Sequence, residues 1–429
     1  MIPEDKREQK SDEWIKADRF SRRAYLATLG VVGSTALAGC GGDGGDGSDG
    51  GGSDGGGSDG GGSDGGDGGS DGGGGDGSYH IGVSNFTSEN PLEVIMTRSA
   101  EWWGEDRGHT VTTTAADGTT SQQLSDLRNL LQQGVDAILM TTFDSQGIAQ
   151  IVDEADVPVF TCDIPTYHKD VHLHTAISQT DFGYTTGQEL VNTMREQHDA
   201  DTYKILEILM DQDNSNAVMR HRSFNEAIDE HDDVEVVKEI EIDGFSATNV
   251  QQQGSSWLQT DPEFHGIGAH WFGGVIGMVQ AMRQRDMLHP AGEDGHISIV
   301  NMDAIPTVVD WVKEGFVDKI VDQPIRWYSV ISMKYLIDFM DAGQDESVLP
   351  EIGTTIEASD LNLAEGTQEH LGHPIFDPPE PRWAPAEVVE FETFGGENLG
   401  FPMIRCSIPV LTRENADNWW HDANLARNL

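Results

Sequence analysis

The sequence predicts an α/β protein of two doubly wound lobes with parallel sheets, and three observations lead there. From Tyr79 onward short β-rich runs alternate with helical periods, so that helices can cover both faces of parallel sheets. The runs are too many for one comfortable open sheet. No stretch of linker composition divides them, so two lobes crossed more than once by the chain are expected, and 429 residues are ample for both cores. A closed β/α barrel shows the same alternation, but "VPVFTCD" and "VHLHTAIS" follow one another with no helix between, which favours open sheets.

"YHIGVS" reads as a strand, and the helix opened by Pro91 sets Leu92, Ile95, Met96, Ser99 and Trp102 on one face at spacings of three and four. "HTVTTTA" is a second strand. Thr120 and Gln123 suggest a capping box for a helix running to Gly134, after which "VDAILMTT" reads as a buried strand. "SQGIAQIVDEA" is a helix, and the strand "VPVFTCD" starts at its proline. The beat continues through strands "YKILEILM", "VEVVKEIEI", "FHGIGAH", "HISIVNMD" and "VDKIVDQP". Between and before them run helices "DFGYTTGQELVNTMREQ", "NAVMRHRSFNEAIDE", "ATNVQQQGSSWLQ", "GGVIGMVQAMRQR" and "PTVVDWVKEG". From Pro350 to Gly400 periodicity is lost, and this stretch is expected to elaborate the second lobe.

Ahead of the alternating part stands "SRRAYLATLG", in which Arg22 and Arg23 precede an apolar run from Ala24 to Ala38. The pattern resembles a twin-arginine export signal, and the run is shorter than the roughly 20 residues that span a bilayer. Leu37, Ala38, Gly39 and Cys40 then match a lipobox, which implies removal of residues 1–39 and lipidation of the Cys40 thiol. From Gly41 to Ser78 the chain uses only Gly, Asp and Ser, which bury no apolar area to offset chain entropy. Residues 40–78 are therefore expected to be a disordered tether, with a span of roughly 35 Å. The expected location is extracytoplasmic, held to the outer face of the cell membrane by the lipid on Cys40.

Acidic residues outnumber basic ones by 74 to 26, for a formal charge of -48. Such a surface repels nucleic acid and anionic lipid, so neither is an expected partner through the protein's field. With lysine scarce, the composition resembles that of extremely halophilic archaea, where screening acts over roughly 3 Å in 1 M salt. The three cysteines match no zinc or redox spacing; once Cys40 is consumed, Cys162 and Cys406 are left as free core thiols or as a pair. His172 and His174 fall on one face of a strand without an evident third ligand, so no metal is expected, and no cofactor motif appears. Nucleophile-elbow and zinc-protease motifs are also missing.

Several segments in order resemble the type I periplasmic sugar-binding proteins, the ribose- and galactose-binding family that serves ABC importers. "SENPL" supplies Asn90 at the mouth of the first helix; "VPVFTCD" ends in Asp163; "AVMRHRSFNEAI" places Arg220 on a helix start; "IVNMDAIP" ends in Asp303; "KIVDQP" contributes Gln323. "IGAHWFGG" puts Trp271 and Phe272 where the family carries a polar pair, Leu92 and Glu93 stand where it carries aromatics, and Ile164 replaces an arginine. The resemblance implies Rossmann-like lobes joined by a three-strand hinge, and no catalytic residues. It implies capture of a sugar or similar small polar ligand by Asn90, Asp163, Arg220, Phe245, Trp271, Phe272, Asp303 and Gln323, with delivery to an ABC permease by a monomer. Carboxylates and a guanidinium serve hydroxyls as acceptors and donors, while aromatics pack on ring C–H faces. Phe245 and Phe272 suit a core as well as a site, and Asp163 and Asp303 suit helix capping.

The expected boundaries are a signal at 1–39, the tether at 40–78, the first lobe at 79–178 and 323–345, the second at 179–322, and a C-terminal segment at 346–429 that mainly elaborates the second lobe. Two other functions fit less well: a secreted glycan hydrolase, with Asp163 and Asp303 as its acids, and a sensory binding protein presenting ligand to a membrane receptor.

Overall fold

The computed structural model describes residues 77–212, 214–242, 244–365, 381–393 and 395–419. The expected export signal, the expected Gly/Asp/Ser tether up to residue 76 and Cys40 lie outside them.

Strand β1 (His80–Asn85) is buried beyond its first residue and pairs in parallel with β2 (Thr110–Ala115) and β3 (Ala137–Met140). Helix α1 (Pro91–Asp106) is capped by Asn90, whose side-chain oxygen accepts from the Leu92 amide at 3.0 Å, and Pro91 fills the first position, where no amide is needed. Helix α2 (Thr120–Gln132) departs from expectation by one residue: Thr119 caps it, and the Gln123 amide donates to the Thr141 carbonyl at 2.7 Å and leaves the helix start alone. Helix α3 (Gln150–Glu154), β4 (Val159–Cys162) and β5 (His174–Ala176) complete the first run of this lobe.

The chain then enters the second lobe with α4 (Gln179–Gln197), β6 (Tyr203–Ile208), α5 (Ser215–Ile228), β7 (Val234–Ile240) and α6 (Ala247–Leu258). It continues through β8 (Gly266–Ala269), α7 (Phe272–Arg283), β9 (Ser298–Met302), α8 (Pro306–Glu314) and β10 (Lys319–Val321). Helix α9 (Ile325–Asp341) returns to the first lobe and packs on α1 and on the strands. After it come β11 (Thr355–Ile356), α10 (Ala358–Leu361), β12 (Ala386–Glu392), β13 (Asn398–Arg405) and β14 (Val410–Thr412).

Two open sheets result, with strand order β11-β12-β13-β5-β4-β3-β1-β2 in one and β14-β10-β9-β8-β6-β7 in the other. They are not wholly parallel. β11, β12 and β13 pair antiparallel before β13 joins β5 in parallel, and β14 runs antiparallel to β10.

The C-terminal segment corrects the expected assignment: β11, β12 and β13 extend the first lobe's sheet, and only β14 and the turn at Ala416–Trp419 join the second lobe. The free edge of β5 accepts β13, with Met403 opposite His174, and Phe391 stacks on Phe401 at 4.8 Å over Leu127, Ile138 and Met140. The chain therefore passes between lobes at residues 177–178, 322–324 and 406–409. Backbone bonds tie these passages together, Cys406 N–H to Ala176 O and Asp322 N–H to Pro409 O, each 2.8 Å.

Cys162 and Cys406 are both buried and both free. His172 precedes β5 and packs on Phe339, whereas His174 packs edge-on to Phe391 in a different apolar cluster, so the two imidazoles do not share a face. Among the described residues no helix is long and apolar enough to cross a membrane.

Helices α4 and α5 approach at backbone distance because α4 presents Gly183 and Gly187. A Cβ at Gly183 would lie 2.3 Å from the Arg220 carbonyl oxygen, and one at Gly187 would lie 2.9 Å from that of Phe224. The close packing fixes the turn of α5 that carries Arg220. Gly187→Ala is expected to destabilise the chain by about 1–3 kcal/mol, through forced separation of the helices. An unchanged unfolding midpoint in urea would contradict this contact.

Candidate functional site

Strands of both sheets point their carboxyl ends at one crevice, the position where open α/β sheets bind ligands. Phe86 follows β1, Asp163 and Ile164 follow β4, Met210 follows β6, Trp271 and Phe272 follow β8, Asp303 follows β9 and Gln323 follows β10. Asn90, Leu92 and Glu93 come from the start of α1, Asn214, Asn216 and Arg220 from the start of α5, and Phe245 and Ile325 complete the lining. The crevice contains about 420 Å³ of unfilled space, part of it open to solvent.

The two aspartates occupy equivalent places in the two lobes. Each stands one residue beyond its strand in the left-handed backbone region, at φ 58° for Asp163 and 72° for Asp303. Asp tolerates that region better than most residues, and holding it there turns the carboxyl out of the strand's pleat into the crevice. Each backbone amide is tied to the next strand, Asp163 N–H to Thr175 O at 3.0 Å and Asp303 N–H to Val321 O at 3.1 Å. The conformation is thus anchored by the sheet itself.

Arg220 is locked from several sides. Its Nε donates to Gln179 Oε1 at 2.8 Å, one terminal nitrogen donates to His270 O at 2.9 Å and reaches Asp303 Oδ2 at 3.5 Å, and the guanidinium lies 4.7 Å over the Phe182 ring. Asp303 Oδ1 accepts from Gln323 Nε2 at 2.7 Å, and Gln323 Oε1 accepts from the Tyr328 hydroxyl. Behind His270 sits the buried Glu207 carboxylate, 3.1 Å from its imidazole and 2.9 Å from His221. Burial alone would raise Glu207, but hydrogen bonds from His221 and His270 outweigh it and hold the group at about 2.

Trp271 precedes α7 and lies across its start, where Gly273 and Gly274 make room: a Cβ at Gly273 would fall 2.3 Å from the indole nitrogen. The indole N–H has no acceptor among the described residues.

Glu93, Asp163, Arg220 and Asp303 are exposed by only 3, 6, 3 and 4 %. Burial pushes Asp163 up to about 6 despite the pull of Arg220, with the charge of Asp303 adding to the rise. Burial, and then the neighbouring Asp163 carboxylate, holds Glu93 well above the usual carboxylate range. Asp303 is raised by burial, against Arg220 and the Gln323 hydrogen bond.

All eight ligand residues singled out in the sequence line this crevice. Sequence reasoning passed over Glu93, Asn214 and Asn216 as site residues, though signals existed: Glu93 lies one helical turn from Asn90, and Asn216 one turn from Arg220. Asn214 caps α5, accepting from the amides of Asn216 and Ala217. Away from the crevice Asp153, His168 and Asp170 cluster on the surface, but they satisfy one another: His168 faces Asp153 at 3.1 Å and accepts the Asp170 amide, and Lys169 pairs with Asp170.

Two hinged lobes that pool strand ends around one buried polar crevice define a clamshell binding protein. The sequence model of the periplasmic binding protein domain matches residues 81–345, more than half of the chain, and the chain belongs to that family. Over 88 residues it is 39% identical to the ribose import binding protein of Bacillus subtilis (strain 168), a match spanning 20% of this chain and only 29% of that protein. Over 299 residues it is 24% identical to the galactofuranose-binding protein of Escherichia coli (strain K12), spanning 68% of this chain and 90% of that one. An ABC transporter solute-binding protein of Bacillus halodurans C-125, solved with myo-inositol, has the same fold at a TM-score of 0.59 and 17% identity, covering 81% of this chain and 98% of that one. A chain in this company is a binding protein rather than a catalyst.

The raised Asp163 carboxyl has a consequence for stability. The unfolded chain releases that proton first, so the contribution is fully present below the ordinary value of 3.8 and is lost as pH rises through about 6. Asp163→Asn is therefore expected to stabilise the free protein near neutral pH by roughly 3 kcal/mol, a gain that fades below about pH 4. Urea unfolding of both proteins across that range checks this, and a destabilised variant at neutral pH would contradict it.

Proposed function

We propose that this chain is a lipid-anchored, extracytoplasmic solute-binding protein that captures a sugar or similar small polar ligand and delivers it to an ABC import permease. One observation carries the reading: Asp163 from the first lobe and Arg220, Asp303 and Gln323 from the second or its hinge converge, desolvated, on a single crevice. Such groups suit hydroxyls, which both donate and accept, and Phe245, Trp271 and Phe272 suit the apolar faces of a ring. The relatives named for ribose and galactofuranose support the ligand class. The lipobox ending at Cys40 and the tether after it support display outside the membrane.

Function on this reading is a population shift. Ligand contacts on both lobes favour the closed arrangement over the open one by their differential free energy, and no covalent step is involved. The acidic surface supports operation in concentrated salt, as in halophilic organisms.

A thermal-shift screen of pentoses, hexoses, polyols and nucleosides in molar salt tests the reading. A true ligand at a hundred times its Kd adds about 2.7 kcal/mol of stability, and no stabilisation by any of these classes would refute it. With the ligand in hand, Asp303→Ala is expected to weaken binding more than about tenfold, because hydroxyls would be buried unpaired. Unchanged affinity in calorimetry would remove Asp303 from the site.

A further inference from the structure

The charges of the crevice do not balance. Its described lining holds three carboxyls, Glu93, Asp163 and Asp303, against one guanidinium. Arg220 is committed to the second lobe, through Gln179, the His270 carbonyl and Asp303. Asp303 is further served by Gln323.

The first lobe has weaker relief: the Arg220 charge pulls on Asp163 and Asn85 serves Glu93, and burial outweighs both. Glu93 and Asp163 face one another, almost wholly buried, and Glu93 Oε2 and Asp163 Oδ1 have no hydrogen-bond donor among the described residues. The cap of the helix that carries Glu93 is the Asn90 side chain, which accepts from the Leu92 amide. Buried carboxylates of this kind demand a proton or a cation. On the opposite side the crevice presents Trp271, whose N–H lacks an acceptor among the described residues, beside Phe272.

We propose that the ligand carries an ammonium group, seated against Glu93 and Asp163, on a hydroxylated body that Asp303, Arg220 and Gln323 hold. An amino sugar or amino polyol fits this division: its hydroxyls meet the second lobe's donors and acceptors, one of them accepts from Trp271, and its cation supplies the charge the first lobe lacks. The inference rests on the crevice being the ligand site, and narrows the solute from any small polar molecule to one with a basic nitrogen.

Without such a ligand the carboxyl pair keeps a proton between its members, in keeping with the raised Glu93. Binding an ammonium group removes the need for that proton. Isothermal calorimetry on the full chain, with glucosamine against glucose and galactosamine against galactose, in two buffers of different ionisation heat, reads both affinity and proton release. The expected result is an amino sugar binding at least about tenfold tighter than its neutral counterpart, with protons released. Glu93→Gln, which keeps the shape and removes the charge, is expected to abolish that preference, and Asp163→Asn to reduce it. Neutral sugars binding as well as or better than their amino counterparts would overturn this inference and leave the sugar-binding reading intact. A preference that survives Glu93→Gln would overturn it too, and so would binding of neither kind of sugar, which leaves the wider reading to the thermal-shift screen.

Discussion

Desolvation of charge at the strand ends is the constraint on which this molecule is organised. Asp163 and Asp303 stand just past β4 and β9 in left-handed backbone conformations that cost free energy and are kept only because each amide is bonded into the neighbouring strand. Their carboxyls are thereby withdrawn from water before any ligand arrives. A surface that holds acceptors dry and under-paired is poor for stability and good for recognition, since a solute bringing donors recovers what folding gave up.

The hinge and the packing behind it serve that arrangement. Three passages run side by side and are bonded to one another through Cys406 to Ala176 and Asp322 to Pro409, so the lobes are joined through a few residues. Asp322 lies in the middle passage, where its carboxylate accepts from the Ala304 amide and from the Trp419 indole, 2.8 and 2.7 Å away, and so ties the passage to the second lobe. Arg220, in turn, owes its position to glycines on α4 that let α5 close in, and to the Glu207 and His270 pair beneath it. The crevice groups are therefore placed by rigid elements, and the connections between the lobes are confined to the three passages.

Much of this was legible in the sequence because it depends on local periodicity. The strand-helix beat, the Asn90 and Pro91 helix start, and strands closing on Asp163 and Asp303 are written in consecutive residues. The left-handed backbone at those aspartates was not, since Asp adopts either conformation and the sheet decides. Glu93 escaped because what sets it apart is the Asp163 carboxyl it faces, on a residue 70 positions away. The C-terminal strands escaped for a related reason: β11 and β14 are two and three residues long, and β12 and β13 find their place only against the edge of β5. Short edge strands carry little periodic signal, and lobe membership is settled by which edge is free.

The most direct test of the central claim is a carbon-13 titration of the carboxyl groups in the free chain, labelled at Asp and Glu. The account predicts a carboxyl resonance that titrates near pH 6 and disappears in Asp163→Asn, the mark of a carboxyl held dry before ligand arrives. Titration of every site carboxyl in the ordinary range would show a wet crevice and contradict it.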